Sequence, residues 1–131
     1  MLPTDYTDLK KFESMVAQLP APEWEWEHYF IPGVYIRKMW MKAGTVLVGK
    51  IHSTVHGCIV AKGRIAVGKQ VFEAGDVFVS EPGAKRAGYA IEDTVFINIH
   101  TNTDNDTDLS VLESKLITPE QLGYEETKEL V

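Results

Sequence analysis

The sequence predicts a mainly β fold, an antiparallel sandwich or barrel with an N-terminal helix and a short C-terminal helix. Three observations carry this. From Val34 onward, short runs are cut by turns at Ala43-Gly44, Lys62-Gly63, Gly68, Ala74-Gly75 and Pro82-Gly83, the rhythm of strands that pair in sequence. Runs such as Glu23-Trp24-Glu25-Trp26-Glu27 alternate polar and apolar side chains, the two-residue period of a half-buried strand. The opening stretch instead spaces Leu9, Phe12, Val16 and Leu19 by three and four residues, the period of an amphipathic helix.

Taken in order, the first helix starts at an Asp or Thr cap, Asp5 or Asp8, and runs to about Leu19, where Pro20 stops it. Pro20 and Pro22 stiffen a short link to a strand over Trp24 to Phe30, and Pro32-Gly33 turns the chain. Strands are expected over Val34 to Met41, Thr45 to Ile51, His56 to Val60, Arg64 to Val67, Asp76 to Ser80, Ala87 to Ile91 and Thr94 to Thr101. The polar run Thr101 to Asp108 closes the barrel region, and Leu109 to Leu116 forms a short helix or an extended arm. Thr118-Pro119-Glu120-Gln121 reads as an N-cap with proline in the first turn of an acidic final helix. The chain thus divides into a helix and linker over 1–22, a barrel over 23–103 and an acidic arm and helix over 104–131.

A length of 131 residues, with 44% hydrophobic and 24% charged content, fits one soluble domain with a single core. No apolar run reaches the length of a membrane span, and the first residues, MLPTDYTDLKKF, lack the basic-then-apolar order of a signal peptide. A cytoplasmic location is expected, and the single Cys58, which leaves no intrachain disulfide, agrees with a reducing compartment. In an apolar strand that cysteine reads as an inert core residue. The net charge of −6 is uneven: Asp104 to Val131 holds eight acids against Lys115 and Lys128, whereas Gly33 to Arg86 holds nine basic residues against Glu73, Asp76 and Glu81. The barrel is therefore locally basic, without the large charge or aromatic platform of a nucleic-acid binder, and a small anionic ligand is the partner it suits.

Two motifs carry the chemistry. Lys50 to Gly63 reads KIHSTVHGCIVAKG, which places Lys50, His52 and His56 at even intervals before a glycine turn. Gly75 is followed after five residues by Glu81, Pro82, Gly83, Ala84, Lys85 and Arg86. Together they resemble the two motifs of the cupin family, His-x-His, three or four residues, Glu, six residues, Gly, and Gly-x5-Pro-x-Gly-x2-His-x3-Asn. Lys50 stands at the first His, His52 at the second, His56 at the Glu, Arg86 at the last His and Ala90 at the Asn. The phrases VYIRKMWMKAGTVLVGKIHSTVH, KGRIAV, VSEPGAKRAGYAIEDTVFINIHTN and TDLSVLE are similar to small cupin-like proteins of tailed bacteriophages and prophages. The resemblance implies a cupin double-stranded β-helix, or jelly-roll, barrel, a homodimer, and Lys50, His52, His56, Arg86 and His100 near one mouth. For a phage-encoded protein the host cytoplasm is the expected location. It brings no settled reaction.

In a strand, residues two apart share a face, so Lys50 and His52 point the same way, and the last strand sets Phe96, Asn98 and His100 against Val95, Ile97, Ile99 and Thr101. If the polar set faces inward, His100 joins His52 and His56, and the apolar set packs outward against the helices or another subunit. Three neutral imidazoles suit zinc, nickel, iron or manganese with positions left open. The missing carboxylate argues against the usual iron-dependent dioxygen chemistry. Lys50 and Arg86 pull the other way: cations beside a metal ion repel it, whereas they favour a carboxylate or phosphate, which Arg86 can grip bidentately. Their plainer alternatives are an ion pair of Arg86 with Glu81, Glu92 or Asp93 and a solvated rim position for Lys50, with Lys85 a rim charge. Tyr89 and Asn98 complete the candidate ligand contacts.

Three functions follow. The first is a small-molecule-binding cupin with a divalent metal on His52, His56 and His100 and an anionic ligand group on Lys50 and Arg86, with or without turnover by metal-assisted isomerisation or hydrolysis. The second is a metal-free binder that sequesters a phosphorylated or nucleotide-like metabolite. The third is a non-enzymatic phage structural or assembly protein that uses the barrel as a scaffold. No catalytic residue is assigned, since no carboxylate pair, phosphate loop or nucleophile motif is marked.

Overall fold

The computed structural model describes residues 2–118. Helix α1 (Tyr6–Val16) is followed by strands β1 (Trp24–Ile31), β2 (Gly33–Met41), β3 (Val46–Val48), β4 (His56–Lys62), β5 (Arg64–Val67), β6 (Gln70–Glu73), β7 (Val77–Ser80), β8 (Ala87–Ala90) and β9 (Thr94–Asn102), and by helix α2 (Leu109–Leu116). A five-stranded sheet in the order β1-β2-β9-β4-β7 faces a four-stranded sheet in the order β3-β8-β5-β6, and every pairing is antiparallel. This is the antiparallel barrel that the turn spacing predicts, in the jelly-roll form that the resemblance implies.

The core lies between the sheets at the end away from the histidines. Met39, Met41 and Val60 from the larger sheet meet Ile65 and Ala90 from the smaller one, with Leu47, Phe72 and Phe96 packed around them. Each fully buried Met or Ile there stabilises the fold by roughly 1.5–3 kcal/mol relative to exposure. Gly63 makes the tight β4–β5 turn at φ +84°, and a Cβ there would lie 2.2 Å from the Asp93 carbonyl oxygen, so only glycine fits.

Three boundaries differ from expectation. The strand expected over Thr45 to Ile51 pairs only over Val46–Val48, because the chain beyond it bonds elsewhere. The Gly49 N–H donates to the Arg86 carbonyl, the Ile51 carbonyl accepts from Thr118, the Ser53 N–H donates to the Leu116 carbonyl, and His52 bridges to Ile117. The strand β6 is an addition: Gly68, at φ 58°, folds Gln70–Glu73 back on β5 as a hairpin too short to stand out between two glycines. Helix α1 begins at the Asp5 cap, whose carboxylate accepts from Thr7 and Asp8, but ends at Val16 and leaves Leu19 exposed. The buried face is completed by Glu13 beside Leu9, because Glu13 is held by an ion pair with Lys85.

Helix α2 adopts the helical alternative and returns to the barrel mouth. The Asp108 carboxylate caps it by accepting from Ser110 and Val111, and Leu112, Leu116 and Ile117 bury Tyr35 at that end. The final helix expected from Thr118 lies outside the described residues.

Candidate metal and anion site

The antiparallel registers set the site out in rungs across the larger sheet. Tyr35 pairs with His100, His100 with His56, and His56 with Ser80. The next rung toward the core runs Arg37, Asn98, Cys58, Phe78, and the one after it runs Met39, Phe96, Val60. The inward face of one sheet thus grades from imidazole to amide to hydrocarbon. Phe96, Asn98 and His100 point inward together, as the two-residue period requires.

His52 arrives from the loop before β4 and closes over the first rung. Its Nδ1 lies 2.9 Å from the Lys50 carbonyl oxygen, which aims Nε2 at the other two rings. Ring centroids are 4.5 Å apart for His52–His56, 4.6 Å for His56–His100 and 5.3 Å for His52–His100, and one nitrogen from each of the three lies within 4.8 Å of the others. All three are buried. Among the described residues, His52 Nε2 and both ring nitrogens of His100 have no hydrogen-bond partner.

Electrostatics hold the cluster neutral. Burial, then the neighbouring His56 and Arg37, pushes His52 down to about 3, and burial with Arg37 pushes His56 down to about 4. Burial and Arg37 drive His100 lower still. Neutral imidazole is the form that ligates a metal, and three of them within one ion's reach with open nitrogens fit a divalent cation.

Beside the cluster is a cavity of about 70 Å³. Its polar wall holds Lys50, His52, His56, Ser80, Arg86 and Asn98, and its apolar wall includes Leu47, Ile65, Phe78 and Phe96. Among the described residues no carboxylate lines it. Arg86 Nη1 donates to Ser80 Oγ at 2.7 Å, and the expected ion pairs with Glu81, Glu92 or Asp93 do not appear among the described residues. Lys50 is buried rather than solvated, and its ammonium lies 2.9 Å from the Glu113 carboxylate of α2, so its charge is already met. Asn98 lines the cavity with its amide engaged, accepting from Arg37 and donating to Cys58 Sγ at 3.4 Å. The Cys58 thiol is pushed up to about 11, chiefly by burial, consistent with an inert core residue.

Two expectations are corrected. Tyr89 lies on the exposed side of β8 and does not line the cavity, because the β8 positions that line it are Ala87 and Gly88. Lys85 is no rim charge: it is buried against Glu13 at 2.9 Å and also donates to the Gly49 carbonyl. One site residue was not anticipated. Arg37 is fully buried on the second rung, with its guanidinium 5.1 Å over the Trp26 ring, and it acts electrostatically on all three histidines. Its signal was phase: Tyr35, Arg37, Met39 and Met41 share one side of a two-residue period.

No family model and no curated protein matches the chain. Solved structures do match it in fold. KdgF from Halomonas sp. superposes at TM-score 0.55 with 19% identity over 64% of this chain and 84% of its own. An RmlC-like cupin from Shewanella frigidimarina does so at 0.56 with 17% identity over 67% and 81%. Ectoine synthase from P. lautus does so at 0.55 with 13% identity over 72% and 75%. The fold is the cupin jelly roll.

Proposed function

We propose that the protein is a small-molecule-binding cupin that holds a divalent metal ion on His52, His56 and His100 and receives an anionic ligand group on Arg86 beside it. The carrying observation is the set of three buried imidazoles with one nitrogen from each within 4.8 Å of the others, of which His52 Nε2 and both His100 nitrogens have no hydrogen-bond partner among the described residues. A buried imidazole nitrogen left unbonded costs about 1–3 kcal/mol, and metal ligation relieves it. A bound ion supplies a Lewis acid that polarises a ligand oxygen and lowers the pKa of bound water. The chain's own groups orient the ligand: Arg86, braced by Ser80, offers guanidinium N–H donors, and the apolar wall takes a short hydrocarbon part. Arg37 opposes the ion's charge, so metal and anion support each other's binding. The volume of about 70 Å³ lies well below the roughly 300 Å³ at which pockets for drug-sized ligands begin. That supports a ligand of few atoms, or the head of a longer one, over a whole nucleotide.

Elemental analysis of protein purified without chelator, with back-titration of zinc, nickel, iron(II) and manganese, tests the reading. Near-stoichiometric metal that is lost in His52→Ala and His100→Ala supports it. A chain that takes up none of the four ions overturns it.

A second reading, a metal-free binder of a small anion such as phosphate or a carboxylate, draws on a different observation: among the described residues Arg86 lines a cavity with no carboxylate in its wall, and Arg37 adds positive potential beside it at His56. Its mark is a rise in melting temperature with the anion in the presence of chelator, abolished by Arg86→Ala. The phage-scaffold reading draws no support from the comparisons.

A further inference from the structure

Arg86 and Val67 each belong to two walls. On one side they bound the cavity of about 70 Å³ beside the histidines. On the other they bound an outer cleft of about 470 Å³, whose remaining polar side chains are Thr4, Lys69, Gln70 and Lys85. The register of the smaller sheet builds this cleft. β5 pairs with β8 through Ala66↔Tyr89 and Val67↔Gly88, and the Gly68 N–H continues the ladder by donating to the Ala87 carbonyl. The next residues along, Lys69 and Arg86, are thereby brought alongside each other. Gly68, at φ 58°, is the first of the two turn residues between β5 and β6, and Lys69 is the second, exposed at the turn.

Charge distinguishes the cleft from the other space around the cavity. Among the described residues no carboxylate lines it, and neither Arg86 nor Lys69 takes part in an ion pair, whereas Lys85 is met by Glu13. A groove of about 410 Å³ shares Leu47 and Lys50 with the cavity, and both its cations are answered: Lys42 by Glu23 at 2.5 Å and Lys50 by Glu113 at 2.9 Å. A divalent ion on the three histidines adds two charges near Arg86 and Arg37. One negative charge on a ligand leaves such a site in excess of cations, which repel one another where water is scarce. The inner cavity holds few atoms, so any further part of a ligand that follows the charge lies past Arg86.

We propose that the outer cleft is a second anion subsite and that the ligand is a short molecule with an anionic group at each end. One end occupies the inner cavity, and the other lies in the cleft between Arg86 and Lys69. The Arg86 guanidinium carries five N–H donors, of which one on Nη1 is given to Ser80, so it can serve both ends. Lys69 selects two-headed ligands over one-headed ones. The inner end rests on the metal-and-anion reading above, whereas the outer end rests on the charges of the cleft.

Calorimetric titration of the full chain, zinc-loaded and chelator-treated, is the test. The probes are succinate, glutarate and adipate, each set against the monocarboxylate of equal carbon number, butyrate, valerate and hexanoate. At least one diacid should bind about fivefold or more tightly than its partner, the advantage that one exposed ion pair supplies. Lys69→Gln should bring that ratio below about twofold and Lys69→Glu should reverse it. The same change at Lys62, at the end of β4 away from His56, should leave the ratio as it is. Diacids that bind no better than monoacids in both forms overturn the inference, and so does a preference that survives Lys69→Gln. Metal content read on the same samples separates the two readings. A diacid preference in a chain that takes up no metal removes the metal and keeps the cleft, and a metal-loaded chain without the preference does the reverse.

Discussion

His56 and His100 face each other directly across the β4–β9 ladder with ring centroids 4.6 Å apart, and burial together with Arg37 leaves neither ring room for a proton near neutral pH. Two buried bases at this distance act as one unit: a proton on either raises the cost of a proton on the other. The same pair can share an ion, since a metal replaces protons that the site already excludes.

Acid should therefore destabilise the metal-free chain well above the carboxylate range. An unfolded histidine titrates near 6.5, whereas His52 and His56 in the fold are pushed down to about 3 and about 4. Because the folded values are the lower ones, the unfolded state binds more protons as pH falls below about 6.5. Each neutral histidine then removes up to ~1.4 kcal/mol of stability per pH unit, and the loss for His56 levels off near pH 4. Above about 7 the contribution is complete and flat. Urea unfolding of chelator-treated protein between pH 7.5 and pH 5, which covers the upper ~1.5 pH units of this window, should show the decline. The variant with all three histidines changed to Gln should show a shallower one, and equal slopes would refute the account.

Lys50 and Glu113 form an ion pair whose two members are unequally buried. The ammonium is buried and the carboxylate is partly exposed, so removing the acid strands a charge, whereas removing the lysine frees a carboxylate to meet water. Glu113→Ala should cost up to about 3 kcal/mol, more than Lys50→Met does. Chemical denaturation of the two single variants and the double variant measures the difference, and a greater loss in Lys50→Met would contradict it.

The barrel was legible because its turns are chemical: glycines at Lys62-Gly63 and Ala74-Gly75 and the two-residue period of Thr94–Asn102 mark strand ends and faces whatever the partners are. His100 was placed with His52 and His56 by the same period, since the register is set by which side chains share a face. What stayed hidden depends on long-range partners. Lys85 and Lys50 look like surface charges until Glu13 and Glu113, each more than 60 residues away in sequence, are brought to them by helices. Arg37 lies among large apolar neighbours in the sequence, and its proximity to the histidines arises only when β2 is paired with β9.

The Lys85–Glu13 pair predicts how α1 is fastened. Both side chains are almost wholly buried, and Leu9 is the one apolar α1 side chain fully buried with them. Glu13→Ala should cost about 3–5 kcal/mol by removing the carboxylate that meets the buried Lys85 ammonium. Part of that loss should appear as local opening: amide exchange in Tyr6–Val16 should speed up ahead of the β9 amides. Exchange that accelerates equally in both elements would show that the pair supports the whole barrel and not the helix alone.

Arg37 predicts opposite effects on metal and anion. Its guanidinium lowers proton affinity at all three histidines, and a divalent ion feels the same repulsion more strongly. Arg37→Gln keeps an amide donor for the Asn98 oxygen while removing the charge. Zinc should bind the variant roughly tenfold or more tightly, since even ~1.4 kcal/mol of relieved repulsion amounts to that factor and two charges separated by several ångströms at an effective dielectric near 20 exceed it. Anions should bind the variant more weakly, and the gain in zinc affinity should shrink when phosphate is present, because a bound anion already offsets Arg37 in the parent chain. Calorimetric titration of zinc into parent and variant, with and without phosphate, measures both effects. An unchanged zinc affinity would mean that Arg37 braces Asn98 and Trp26 without setting the charge balance of the histidine cluster.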